Sequence, residues 1–463
     1  MNPEPSLASP PGPRQWPRLS SPVMRLLLIG VLLLLLNIPI AMVRGVVKER
    51  AARRDQASAD ILSAWGGKQS LTGPILRLPF VIRTHSQTSD GKQVEQTVSD
   101  AAYLLPRDLH VQGRLEAESR HRGIFEVPVY VARLELSGHF DPADLKDWPV
   151  HPEDIDWKHA ELLLGLSEPR TLQADAAVKW DGQVLAFSPS TGISQHVIAS
   201  GIHVPLGLSL EQVLGAKGSD FSIHLSFNGA DAIAFSPTAE QTEINLASGW
   251  PSPSFDGAWL PAQHSIDGDG FHARWSVSYL GRDYPQRWAE SIDMSGALKK
   301  SQFGATLAQP VDPYTMALRV LKYAVLTLVF TFAVIWLVEV LSGQSVHPIQ
   351  YAMVGAALCL FGLLQLSFAE HFGFTVAFFV AAAAVVAMIT LYSLSLLHSV
   401  WRALIVGGVL GGLYAYLYAI LRAEDHALLG GSIALFVGLG LTMYLTRRVD
   451  WSGLGRLRVG SLS

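Results

Sequence analysis

Between residues 323 and 446 the chain alternates long apolar runs with short polar breaks, and these 124 positions hold only six charged residues. The runs are residues 323–341, 351–369, 372–397, 403–421 and 427–446. A helix rises about 1.5 Å per residue, so each run is long enough to cross about 30 Å of hydrocarbon. The breaks fall at Gly343 with His347-Pro348, at Glu370-His371, at His398 with Arg402, and at Arg422 with Glu424-Asp425. Residues 26–43 add an uncharged stretch of 18 behind Arg14, Arg18 and Arg25. It exceeds the roughly 7–15 apolar residues of a signal peptide and no small-x-small cleavage site follows, so it reads as an uncleaved anchor. The pattern predicts six spans, one before and five after a polar middle.

In that middle the apolar period changes from 3.6 to 2. Phe221, Ile223, Leu225 and Phe227 alternate with polar residues, and Ile233 and Phe235 follow Asn228-Gly229. Asn-Gly reads as a hairpin turn because both central positions of a type I′ turn need positive φ. Trp180-Asp181-Gly182-Gln183-Val184 repeats the device, and Phe271, Ala273, Trp275, Val277 and Tyr279 make the cleanest alternating strand. Val127, Val129 and Val131 change register before Leu134 and Leu136. Short strands with Gly, Pro and Asp turns predict a large antiparallel β-sandwich-like domain, or two packed ones with a seam at residues 141–157.

The organisation that follows is a Pro-rich tail (1–22), an anchor helix extended outward (23–65), a β-rich domain (66–310), a five-helix bundle (311–451) and a second tail (452–463). Gly66-Gly67 should stop the first helix. Mean hydropathy of +0.27 and 49% hydrophobic residues average a greasy third with a polar middle. The net charge of −4 brings no basic field for nucleic acid. The lone cysteine, Cys359, lies in a span, so the β-domain has neither a disulfide nor a Cys-based zinc site.

Charge sets the orientation. Arg447, Arg448, Arg456 and Arg458 in the tail, with Arg402, face Arg422, Glu424 and Asp425 on the opposite side. The positive-inside rule places both termini in the cytoplasm and the β-domain outside. Arg44, Lys48, Arg50, Arg53 and Arg54 oppose this, but they begin a segment of 277 residues, and long domains translocate largely regardless of charge.

No P-loop, Rossmann, zincin or hydrolase-elbow motif occurs. Asp267-Gly268-Asp269-Gly270 reads as a plain turn, because Ser278 stands where a calcium loop needs its bidentate Glu. Polar groups at membrane depth are costly and mark where to look. Glu339, near the end of its span, reads as reaching the interface, and His347-Pro348 as a helix cap. Glu370, His371, Glu424 and Asp425 form a candidate outer-side polar cluster, functional or simply holding loops. Gly408 and Gly412 read as a close-packing face within the bundle or in a dimer.

Several stretches together resemble the CreD-type inner-membrane proteins, the cell-envelope integrity proteins. They are Gly66-Gly67 with Leu71-Thr72-Gly73-Pro74, Arg122-Gly123-Ile124-Phe125-Glu126-Val127-Pro128-Val129-Tyr130, and Trp250-Pro251-Ser252-Pro253-Ser254-Phe255. His347-Pro348-Ile349-Gln350-Tyr351, Glu370-His371, Glu424-Asp425 and Tyr444-Leu445-Thr446-Arg447-Arg448-Val449-Asp450-Trp451 complete the pattern, with Phe125 and His426 in place of tyrosine. The resemblance implies a Gram-negative inner-membrane protein with a periplasmic domain, acting in envelope stress and in β-lactam and colicin tolerance. It implies no enzyme activity and no cofactor. The expected function is a non-enzymatic envelope-maintenance protein, in contact with the lipid bilayer and a periplasmic protein or envelope component. The alternatives are a transporter or lipid-handling bundle, and an envelope enzyme using the outer carboxylates.

Overall fold

The computed structural model describes residues 22–87, 93–123, 125–142, 151–191, 197–208, 217–308, 312–342, 346–422 and 427–447. Helix α1, Pro22–Trp65, runs unbroken for 44 residues through Pro39. It ends as its sequence requires: the N–H groups of Gly66 and Gly67 both return to the Leu62 carbonyl, with φ of 112° and 59°. A short helix α2, Ser295–Lys300, lies in the β-rich part. Then come α3, Pro313–Ser342, α4, Pro348–Phe372, α5, Phe374–Leu397, α6, Val400–Arg422, and α7, Ala427–Thr446. Five of these, α1 and α3 to α6, are long and apolar enough to cross a membrane, and α7 is a shorter apolar helix near the C-terminus. The chain forms two compact units, α1 up to Ala52 with the chain from Val311, and Arg53–Pro310.

In the helical unit one apolar core joins α1, α3, α4, α5 and α6 through Leu36, Phe332, Phe361, Phe378 and Leu410. Glycine sets how closely the helices approach, but within the bundle this is not at Gly408 and Gly412. Gly408 and Gly412 face open space, and within this stretch only Gly407 meets a neighbour, the Thr390 side chain of α5. A tight seam lies on α4, where a Cβ at Gly355 would overlap Leu36 and one at Gly362 would sit 2.6 Å from Leu321. Seven residues separate these glycines, and seven separate Leu36 from Val43, the α1 side chains they face. Two turns of each helix therefore mesh in register.

The helix breaks also differ in detail. The α4–α5 turn is the single residue Gly373, φ 77°, so Glu370 and His371 stay in the last turn of α4. His347 caps α4 as expected: its Nδ1 accepts the Ile349 N–H, Gln350 Oε1 accepts the His347 N–H, and Pro348 stands at the first helical position.

The β unit is a two-sheet sandwich around one shared core. Among the described residues one sheet has nine strands and is built on Gln69–Gln87, the other has eight and is built on Asp108–Arg122 and Phe125–Phe140. Strands from before and after residues 141–157 enter both sheets, so that segment divides neither. Among the described residues pairing is antiparallel except where residues 69–71 meet 233–235 and where 241–248 meet 108–115.

The Trp180–Gln183 hairpin forms as predicted, with Asp181 and Gly182 at φ of 46° and 84°. Asn228-Gly229 is not a turn. The strand Ser219–Ala230 runs straight through it, and the chain bends at Asp231, φ 67°, to send Ala232–Phe235 into the other sheet. Gly229 is there because Tyr130 lies across from it, and any Cβ would strike the ring. Nor does Phe125–Phe140 slip register: its ladder with Asp108–Arg122 is continuous. Tyr130, Ala132, Leu134 and Leu136 enter the core. Val127 and Val129 are buried on the opposite face, where Arg120, paired with Val127, stacks 4.0 Å from the Trp65 ring at the end of α1.

The strand Gly270–Ser278 buries Phe271, Ala273, Trp275 and Val277, while Tyr279 is left exposed in a 3-10 turn. Asp267 to Gly270 is a hairpin turn in which Asp267 Oδ1 accepts the Asp269 N–H.

Candidate functional site

Two of the four groups of the candidate cluster, Glu370 and His371, lie among the described residues. Asp312 caps α3 by accepting the N–H groups of Tyr314 and Thr315, which fixes Tyr314 in the first helical turn. The buried Tyr314 hydroxyl then donates to Glu370 Oε1 at 2.9 Å, tying the start of α3 to the end of α4. His371 is exposed, with its ring 6.3 Å from that of Phe372. Glu424 and Asp425 lie outside the described residues. An amide oxygen can accept from Tyr314 as the carboxylate does. Glu370→Gln should therefore complement a deletion strain in an envelope-stress assay to near the wild-type level. A stably inserted but inactive variant would instead make the charge itself essential.

Glu339 departs from expectation. Only 3% of it is exposed, because it turns inward at the end of α3. Its Oε1 accepts the Val346 N–H at 3.2 Å and its Oε2 the Tyr351 hydroxyl at 2.8 Å, closing the α3–α4 connection. A carboxylate with good donors need not reach the interface. Gln365 and Ser393 are fully buried with side-chain polar atoms that find no partner among the described residues. Among those residues no group of three or more His, Cys, Asp or Glu is placed to hold a metal ion.

Part of the polar chemistry of the β unit lies outside the sandwich core. On the outer face of the nine-stranded sheet a second apolar layer forms around Ile75, Tyr103, Leu163, Trp288 and Leu298. Arg77 pins it, with Glu161 at 3.4 Å and Glu290 at 3.3 Å. Burial alone would lower the Arg77 guanidinium, but Glu290, Tyr103 and Glu161 hold it above its ordinary range. Nearby, burial pulls Arg282 down and pushes the Tyr284 hydroxyl up, and both donate to the Pro237 carbonyl. Tyr130 is likewise pushed up by burial and donates to the Ala232 carbonyl at 2.7 Å. These are structural hydrogen bonds that hold buried phenols neutral.

Among the clefts that open on the β unit are two formed by described residues. One, of about 410 Å³, lies on the eight-stranded sheet by Asn245, His272 and Arg274, and its arginine is engaged by Glu243 at 3.2 Å. The other, of about 340 Å³, lies beside the second apolar layer and is lined by serines, Thr72 and Lys299. No sequence signal marks the second, because its walls come from residues 70–72, 165–167, 197–200 and 295–302.

A set of membrane-length apolar helices with a large two-sheet domain between the first and the rest defines a multi-pass membrane protein. The family model described as Inner membrane protein CreD matches residues 21–452. Inner membrane protein CreD of Escherichia coli (strain K12) is 31% identical over 424 residues, 92% of each chain. The chain belongs to the CreD family of inner membrane proteins.

Proposed function

We propose that this chain maintains the cell envelope without catalysing a reaction, and that its β-domain faces the periplasm and binds a protein or envelope component there. The observation that carries this reading is the division of polar groups between the units. In the helical unit Glu339 and Glu370 are occupied as hydrogen-bond acceptors that hold helix ends. The β-domain instead offers open clefts lined by both polar and apolar residues. The family's link to envelope stress fits a binding role, with the helices embedding the chain in the bilayer. A second reading, a transporter or lipid-handling bundle, draws on the orphaned side chains of Gln365 and Ser393.

The two readings separate in a chimera. An unrelated soluble domain in place of residues 66–308 should leave the chain in the membrane and abolish complementation of a deletion strain. A chimera that complements would reject the β-domain as the functional part and favour the bundle.

A further inference from the structure

The Leu71-Thr72-Gly73-Pro74 stretch has a structural task that leads to the serine-lined cleft. Pairing with Glu161–Leu166 is continuous up to Thr72 and resumes at Ile75, one residue out of step. Gly73 makes this bulge, at φ 115°, where a Cβ would also lie 2.9 Å from the Leu163 carbonyl. A one-residue bulge flips the facing of everything after it. Leu71 and Leu76 therefore both enter the sandwich core, while Ile75 joins the outer layer. Ser70 and Thr72 line the cleft.

Opposite them stands Gly165, which pairs with Thr72. A Cβ there would sit 2.7 Å from Ile198 and 3.3 Å from Thr72, so the space exists only because the residue is glycine. Ile198, Val197 and Leu298, all buried, give the cleft an apolar wall. Ser70 and Ser167 bond each other at 2.7 Å, and Thr72 bonds Ser236 at 2.9 Å, which fixes those hydroxyls. Ser200, Ser295, Gln302 and Lys299 complete the rim. No Asp or Glu lines the cleft, and no acid among the described residues pairs with Lys299. One unopposed ammonium, many hydroxyls and an apolar wall match a sugar that carries a carboxylate: C–H groups on the wall, hydroxyls on the serines, the acid on Lys299. The volume of about 340 Å³ falls within the usual range for small-molecule sites, about 300–1,000 Å³.

We infer that this cleft binds a carboxylate-bearing saccharide, the chemistry of lactyl-substituted sugars in the bacterial wall, with Lys299 holding the acid. The inference rests on the proposal that the β-domain binds an envelope component.

The test uses the full chain in detergent with three probes, N-acetylmuramic acid, N-acetylglucosamine and inorganic phosphate, followed by ligand-observed NMR titration. The two sugars differ only by the lactyl acid. N-acetylmuramic acid should bind saturably, and N-acetylglucosamine and phosphate each at least about tenfold more weakly, the size of a lost charge-assisted hydrogen bond. Lys299→Glu should remove the binding while leaving the melting temperature unchanged, because Lys299 is exposed. Equal binding of both sugars, or of phosphate, would overturn the assignment of ligand class. Unchanged binding by Lys299→Glu would overturn the site but leave the envelope-component reading intact. No binding of any probe by the folded wild type would overturn the inference, and the chimera would still decide the broader reading.

Discussion

Replacing Gly355 or Gly362 by leucine is expected to lower the amount of folded, membrane-inserted chain severalfold, while leucine at Gly408 or Gly412 leaves it unchanged. At Gly355 the new side chain enters space already held by Leu36 and lies near Phe332, 3.0 Å from the position of the first added carbon. At Gly362 it meets Leu321, with Val43 behind. Overpacking of this kind costs about 1–3 kcal/mol in soluble cores. Helices in lipid lack a strong hydrophobic drive to stay together, so lost close packing is poorly compensated. Gly408 and Gly412 meet nothing within 4 Å. Quantitative immunoblots of membrane fractions with a shared tag would compare the four variants. Equal loss at all four positions would mean that the α6 stripe packs against something in the membrane as tightly as α4 packs against α1.

Gly229→Val should destabilise the β-domain by about 3 kcal/mol or more, since it combines overpacking with a broken buried hydrogen bond. Tyr130 is fully buried against Gly229, and its hydroxyl donates to the Ala232 carbonyl where the chain crosses between sheets. Valine must displace the ring, and the hydroxyl would then lose its acceptor inside the core. For a domain of this size about 1 kcal/mol shifts the melting temperature by roughly 2–4 °C, so a fall of about 10 °C is expected. Differential scanning fluorimetry of the full chain would show it, and an unshifted transition would contradict the packing described for Tyr130.

These two sites also mark where sequence reading stops. The membrane helices were legible because an uninterrupted apolar run of about 18 or more residues is hard to place anywhere but in lipid. The Trp180–Gln183 hairpin was legible because Asp181-Gly182 stands between two short strands. Asn228-Gly229 carries the same local signal with the opposite meaning. Its glycine answers to Tyr130, 99 positions away, and a distant ring leaves no trace in the dipeptide. The paired glycines of α6 show a related limit: composition says that a helix can pack closely, but only the bundle decides which face does so.

Candidate chemistry was legible in part. Glu370 was singled out, but its partner is Tyr314 from the start of α3, and the reason for Glu339 is Tyr351 across a connection. The apparent register change near Val131 came from burial on both faces of one straight strand, which periodicity cannot distinguish from a bulge. The real bulge, at Gly73, sat in a stretch recognised only by resemblance. The serine-lined cleft was invisible because four separate segments build it.

The proposed placement of the β-domain in the periplasm underlies both the proposed function and the saccharide site. A reporter that matures only in the periplasm tests it directly, inserted in the exposed turn at Gly182 in one chain and fused after Trp451 in another. The account predicts activity at Gly182 and none after Trp451, because by the positive-inside rule the tail arginines favour a cytoplasmic C-terminus. Activity after Trp451 with silence at Gly182 would contradict it and make the basic cluster at Arg44, Lys48, Arg50, Arg53 and Arg54 the cytoplasmic flank of α1.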